Sequence, residues 1–153
     1  MNPSFRSFNP AFLDAATRTK VEETGGANFL FVTKDNKIVT PKSDSILPSI
    51  TRRSLMYVAE HYLGLEVEQR EVYLDEVPNF VECGLCGTAA VISPIGKIVD
   101  HGREICFASG MDEMGPVLSK LRETYTDGYK VLHLCHMVAH MQSLLLLFFL
   151  LPQ

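Results

Sequence analysis

Between Val21 and Gly64 the chain changes its hydrophobic period once, and that change limits the folds open to it. "VEETGGANFLFVTKDNKIVTP", residues 21–41, reads as an extended segment, a break at Gly25–Gly26, then a hairpin. "NFLFVT" and "KIVTP" are rich in β-formers, and Asp35–Asn36 in the "KDN" between them suits a tight turn. Leu55, Val58, Ala59, Tyr62 and Leu63 then fall on one face of a helix. Ser49 is placed to cap that helix after the extended-chain signal of Pro48, and Gly64 to end it in a left-handed conformation.

Downstream, "LEVEQREVYL" alternates Leu65 and Val67 with Glu66 and Glu68, which predicts a strand with one wet face. Asp75 is a candidate cap for a short helix in "LDEVPNFVE". "TAAVISPIGKIVD" predicts a strand, a Pro-Ile-Gly turn and another strand. "GPVLSKLRETY" predicts a second amphipathic helix with Pro116 in its first turn. The class is therefore α/β in the broad sense (α+β), strands dominating with two or three helices packed on them.

At 153 residues the chain is expected to be one domain with a substantial core. Charged residues make up 21% and the net charge is −4, which argues against a basic nucleic-acid face. The N-terminus has no apolar run of signal-peptide length, and Cys83, Cys86, Cys106 and Cys135 are too scattered for a disulfide scaffold. A reducing, cytoplasmic setting is the expectation. Val131 to Leu151 contains no Asp, Glu, Lys or Arg and has the length to span a bilayer. His133, His136, His140 and Gln142 dilute its first half, and the unbroken apolar run covers only Leu144 to Leu151. A buried or poorly structured tail is expected there, with a membrane anchor as the alternative.

Three motifs bear on chemistry. In "VECGLCGTAAVISP" the Cys83–Cys86 pair has no second pair to complete a four-ligand zinc site, and it does not open a helix as a redox pair would. No metal site is expected. The following Gly87–Thr88–Ala89–Ala90 puts small residues in sequence, so that backbone N–H groups and the Thr88 hydroxyl can meet an anion; tight packing is the competing explanation. "ILPSITRRS" offers a second anion site, where the open N–H groups of the helix start lie beside Ser49, Thr51 and Arg52. An ordinary capped helix explains it equally well. Glu22 and Glu23 are adjacent in a predicted strand, so one is expected to face solvent and the other the interior. A buried carboxylate requires a cation or a hydrogen-bond network, and a protonated heteroaromatic nitrogen meets that requirement.

Together, "VEETGGANFLFVT", "VTPKSDSILPSITRRSL" and "GLCGTAAVISPIGKI" resemble, in order, the branched-chain amino acid aminotransferases, fold-type IV pyridoxal-phosphate enzymes. The resemblance runs from residue 11 to residue 126. It implies a D-amino acid aminotransferase-like C-terminal domain, a mixed, largely antiparallel pseudo-barrel sheet with packed helices. Residues 1–10 lie outside the resemblance, and 127–153 form a divergent apolar tail. The D-amino acid aminotransferases and aminodeoxychorismate lyases share two of the motifs but differ at "ETGGAN".

The resemblance implies pyridoxal 5'-phosphate as cofactor and branched-chain amino acids and 2-oxo acids as substrates. Glu23 would accept a hydrogen bond from the protonated pyridine nitrogen. Ile50 and Thr51 would hold the phosphate, with Thr88 adding to that grip. Thr88, Ala89 and Ala90 would meet the substrate carboxylate. The cysteine pair of some mammalian members maps onto Ala90 and Ser93, so that redox switch is not carried over. The family's Schiff-base lysine and substrate-facing small domain lie upstream of anything in this sequence, and Lys20, three positions before Glu23, is on the opposite strand face. No catalytic residue is therefore assigned. A truncated or misread gene is expected to account for both ends. The isolated domain is expected to have little or no turnover, while a homodimer, association with a full-length homologue, or a purely binding role stays open.

Overall fold

The computed structural model describes residues 9–108 and 113–128. The expectations for the tail at 129–153 and for residues 1–8 lie outside the described residues. Ten strands are described: β1 (Ala11–Leu13), β2 (Lys20–Thr24), β3 (Asn28–Val32), β4 (Ile38–Pro41), β5 (Val67–Arg70), β6 (Val72–Tyr73), β7 (Glu82–Gly87), β8 (Val91–Pro94), β9 (Lys97–Asp100) and β10 (Arg103–Cys106). Helix α1 spans Ile50–Leu63, and α2 covers 116–128. The first eight strands form one sheet, and β9 and β10 form a separate hairpin. All pairings are antiparallel except β4 with β5, which are parallel because α1 is the crossover between them.

The predicted hairpin is present. Thr33 and Lys37 close its turn through Thr33 N to Lys37 O (3.0 Å), and Asn36 takes the left-handed conformation at φ 63°. At α1, Ser49 Oγ accepts from Arg52 N (3.2 Å) and Gly64 ends the helix at φ 64°. Those local signals are short-range, and the structure keeps them.

Other expectations fail for tertiary reasons. The strand predicted over 65–74 is two strands, because Arg70 turns aside to Glu76 and lets Val72 pair with Val21 of β2. Asp75 caps nothing: the short element there is a 3₁₀ turn, Val77–Asn79, preceded by Glu76, whose carboxylate is taken by Arg70 and by Tyr73 N. β7 is a central strand with no predicted counterpart. It pairs along the whole of β3, from Asn28↔Cys86 to Val32↔Glu82.

β3 and β7 divide the core in two. Phe29 and Phe31 of β3 with Cys83 and Leu85 of β7 face a cluster closed by Val77, Phe80, Ile105 and Phe107. The Phe31 ring stacks on Phe29 and Phe80 at centroid distances of 5.3 and 4.7 Å. Leu30, Val32 and Cys86 face the other way, against Leu55 and Ala59 of α1 and Leu118 and Leu121 of α2. Alternation along a strand sends i and i+3 to opposite faces, so Cys83 and Cys86 stand in different clusters. α2 comes close at Gly84, where an added Cβ would lie 2.9 Å from Ile92 and 3.0 Å from Leu118. It is tethered by the buried Glu82, whose two oxygens accept from Val117 N (3.0 Å) and Leu118 N (2.9 Å).

Candidate functional site

Three loops meet at one end of the sheet because β3 begins where β7 ends. β2 turns into β3 through Gly25–Gly26, with Thr24 N and Thr24 Oγ1 both donating to Ala27 O (2.9 and 3.0 Å). Residues 88–90 form the exposed turn from β7 to β8, with Gly87 opposite Val91. A Cβ on Gly87 would stand 3.6 Å from Gly26 O and 3.9 Å from Ala27 Cβ, so these two turns lie side by side. The approach to α1 joins them, since Leu47 N donates to Glu23 Oε2 (3.3 Å).

Glu23, near the end of β2, is half-buried, and so is Glu22. The expected division into one wet and one interior glutamate does not hold. Glu22 accepts from Ser43 Oγ at 2.6 Å, because the chain after β4 folds back across its face. Glu23 Oε2 takes both Leu47 N and Asn28 Nδ2, the latter at 2.9 Å. Its Oε1 has no partner among the described residues. Asn28 is buried, was not singled out from sequence, and is the side chain that fixes the carboxylate. A strand-disfavoured amide beginning an apolar strand was the signal available.

At the start of α1, Arg53 N donates to Ser49 O (3.1 Å) as the first intrahelical bond. The N–H groups of Ile50 and Thr51 precede it and are the open donors that every helix start leaves. Ile50 is 79% exposed, so its backbone is what it offers, whereas the Thr51 side chain is buried. Arg52 is buried beneath this turn, with Nη1 donating to Pro41 O at 3.1 Å. Thr88, Ala89 and Ala90 are exposed on the neighbouring turn. The approach to α1 thus reaches the Glu23 carboxylate through Leu47 N, and the turn after Gly87 lies against the Gly26–Ala27 turn that follows Glu23.

The thiols are not part of this surface. Burial pushes the Cys83 thiol well above its usual value, and pushes Cys86 to about 12 against the pull of the Arg52 charge. Neither is a thiolate at neutral pH, which removes the nucleophile that thiol chemistry requires. Lys20 is likewise committed: its Nζ binds Glu71 Oε1 at 2.7 Å, which raises its pKa and keeps the amine protonated. A recess of about 500 Å³ lies on the Glu22 side, lined by Asp14, Lys20, Glu22, Lys42 and Glu71. Its Lys20 and Glu71 charges are paired with each other.

An antiparallel-dominated sheet with one parallel crossover, carrying a half-buried glutamate at a strand end and a capped helix after the crossover strand, defines a mixed α/β domain. The chain belongs to the amino-transferase class IV family, which it matches over residues 11–98. It is 48% identical over 124 residues to the branched-chain-amino-acid aminotransferase of Haemophilus influenzae, covering 81% of this chain and 36% of that protein. The corresponding enzyme of Helicobacter pylori is 50% identical over 96 residues, covering 63% and 28%. Among solved structures, the branched-chain amino acid aminotransferase of Thermobaculum terrenum in its PLP-form superposes with a TM-score of 0.65 at 38% identity. That match covers 78% of this chain and 36% of the other. The chain thus spans about a third of the length of the relatives it matches. No helix among the described residues is long and apolar enough to cross a membrane.

Proposed function

We propose that residues 11–126 are the cofactor-holding domain of a cytoplasmic branched-chain aminotransferase. The reaction moves the amino group of leucine, isoleucine or valine to 2-oxoglutarate. The observation that carries this reading is the Glu23 carboxylate, anchored through Oε2 and open at Oε1 beside a helix start with open N–H groups. Those residues fit pyridoxal 5'-phosphate: an acceptor for a protonated ring nitrogen, donors for a phosphate, and a buried Arg52 Nε that lacks an acceptor among the described residues. The cofactor, when bound, supplies the electron sink that stabilises charge at the substrate Cα.

The chain's own residues bind and orient. Glu23 holds the proton on the ring nitrogen, kept in place by Asn28 and Leu47 N. Ile50 N, Thr51 N and the hydroxyls of Thr51 and Thr88 donate to the phosphate. The Thr88–Ala90 turn, free of bulky side chains, receives the substrate carboxylate. Proton transfer at Cα requires an amine poised near neutrality, and Lys20, held protonated by Glu71, is not that group. The domain is therefore expected to act with a lysine from outside the described residues, within a homodimer or beside a full-length homologue.

Titration of the purified chain with pyridoxal 5'-phosphate, followed by absorbance and ³¹P resonance, tests this directly. Saturable binding by the wild type, lost in Glu23→Ala and in Thr51→Ala, is the expected result. Leucine to 2-oxoglutarate turnover should be near background in the same sample. A wild-type chain that does not bind the cofactor overturns the reading.

A further inference from the structure

Arg52 holds a combination that a buried cation rarely has. It is more than nine-tenths buried, at 8% exposure. One nitrogen is satisfied, by the Pro41 carbonyl. Its Nε is a buried donor with no acceptor, and no carboxylate forms an ion pair with it among the described residues. Arg52 is also the third residue of α1, so it lies at the positive end of that helix. A buried guanidinium at the positive end of a helix, with no compensating anion, is electrostatically costly.

The location of this charge narrows its purpose. Pro41 ends β4, and Leu55 and Ala59, further along the same helix, pack against Cys86 in one cluster. The Cys86 thiol feels the Arg52 charge directly, which offsets part of the burial acting on it. Cys86 leads through Gly87 into the Thr88 turn. The guanidinium therefore sits beneath the helix start and beside the strand that carries the second donor turn.

We propose that Arg52 is a positioning residue for a phosphate monoester: it ties α1 to β4 and supplies the buried positive charge that makes the Ile50–Thr51 donors selective for a dianion over a neutral ligand. This deepens the cofactor reading above and rests on it for the identity of the phosphate's carrier. The selectivity itself is a property of Arg52 and of the helix start.

The test compares pyridoxal 5'-phosphate, pyridoxal and inorganic phosphate by calorimetry on the full chain, as wild type, Arg52→Gln and Arg52→Lys. Arg52→Gln is expected to weaken both phosphate-bearing ligands by about tenfold or more, the scale of one charge-assisted hydrogen bond, and pyridoxal by less than about twofold. Arg52→Lys, which keeps the charge and loses the planar fork, should fall between. Equal weakening of pyridoxal and its phosphate by Arg52→Gln would mean a purely structural role and overturns the proposal. In case Arg52→Gln fails to fold, the Nε–H resonance of Arg52 in ¹⁵N-labelled wild type, identified by its loss in Arg52→Lys, must shift on adding inorganic phosphate. A resonance that stays fixed at saturating phosphate also overturns it. Arg52-dependent binding of inorganic phosphate without any gain for the pyridoxal ester upholds the Arg52 role and removes the cofactor reading alone. A wild-type chain that binds none of the three ligands removes both.

Discussion

Asn28 donates through Nδ2 to Glu23 and is almost wholly withdrawn from water, so its loss affects both the fold and the site. Asn28→Ala removes a bond to a charged acceptor and is expected to lower stability by about 2 kcal/mol in urea denaturation. The same variant should weaken cofactor binding, because the Glu23 carboxylate then swings on the Leu47 contact alone. Gly115 is a second residue whose identity is set by a neighbour. A Cβ there would run into the Glu82 carboxylate, which is occupied in holding the start of α2. Gly115→Ala is expected to cost about 2 kcal/mol by overpacking. In a Glu82→Ala background the cost should fall by more than half, and a double-mutant cycle measures the difference. Unchanged cost in that background would show that Glu82 is not what Gly115 avoids.

Among the elements, α1 was legible and β7 was not. The ends of α1 are written in side chains that act within a few residues: Ser49 on Arg52 N, and Gly64 at a positive φ. Ser49→Ala should cost about 1 kcal/mol in thermal or chemical unfolding, with the helix start loosened where the phosphate is proposed to bind. β7 reads Glu-Cys-Gly-Leu-Cys-Gly, with two strand-disfavoured glycines and no alternation of apolar and polar positions. It is buried on both faces, and its glutamate is satisfied by backbone more than 30 residues away in α2. No window of local sequence contains that partner. The candidate site divides the same way. Glu23, Ile50, Thr51 and Thr88 stand out by residue type and motif order. The adjacency of the Gly26 and Thr88 turns comes from β3 pairing with β7, a long-range event, while the Asn28 anchor and the trapped Arg52 charge depend on side-chain orientations that residue type alone does not give.

At the scale of the whole molecule, charge is arranged so that acid is the more damaging direction. Asp14 accepts from Lys20 N, Thr17 N and Thr19 N, which holds its carboxyl well below the usual carboxylate range. Lys20 lowers Glu71, and the Thr33 hydroxyl lowers Asp35. Burial pushes Glu76 up, but the Arg70 fork at 2.7 and 2.9 Å and the Tyr73 N–H together outweigh it and the net shift is downward. Depressed carboxylates stabilise the fold above their unfolded values of about 4, and that contribution disappears as pH falls through their folded values. Lys20, Lys37 and Arg70 are raised by Glu71, Glu66 and Glu76 and contribute until the lysines deprotonate, above about pH 10.5. The thermal midpoint is therefore expected to be flat across neutral pH and to fall below about pH 4. Asp14→Asn should lower the plateau and flatten the acid limb, and scanning calorimetry at several pH values checks both.

The double-sided burial of β7 also governs which changes of length this chain tolerates. Cys83 and Leu85 serve one cluster, while Glu82, Gly84 and Cys86 turn toward the other. Deleting one codon within the strand sends every later side chain to the wrong side. With Cys83 or Gly84 deleted, leucine would be driven onto the glycine-sized gap under α2, pushing the helix away from the Glu82 carboxylate that holds it. Point substitutions at the two cysteines leave this parity intact, whereas any frame-preserving gain or loss of a single residue reverses it.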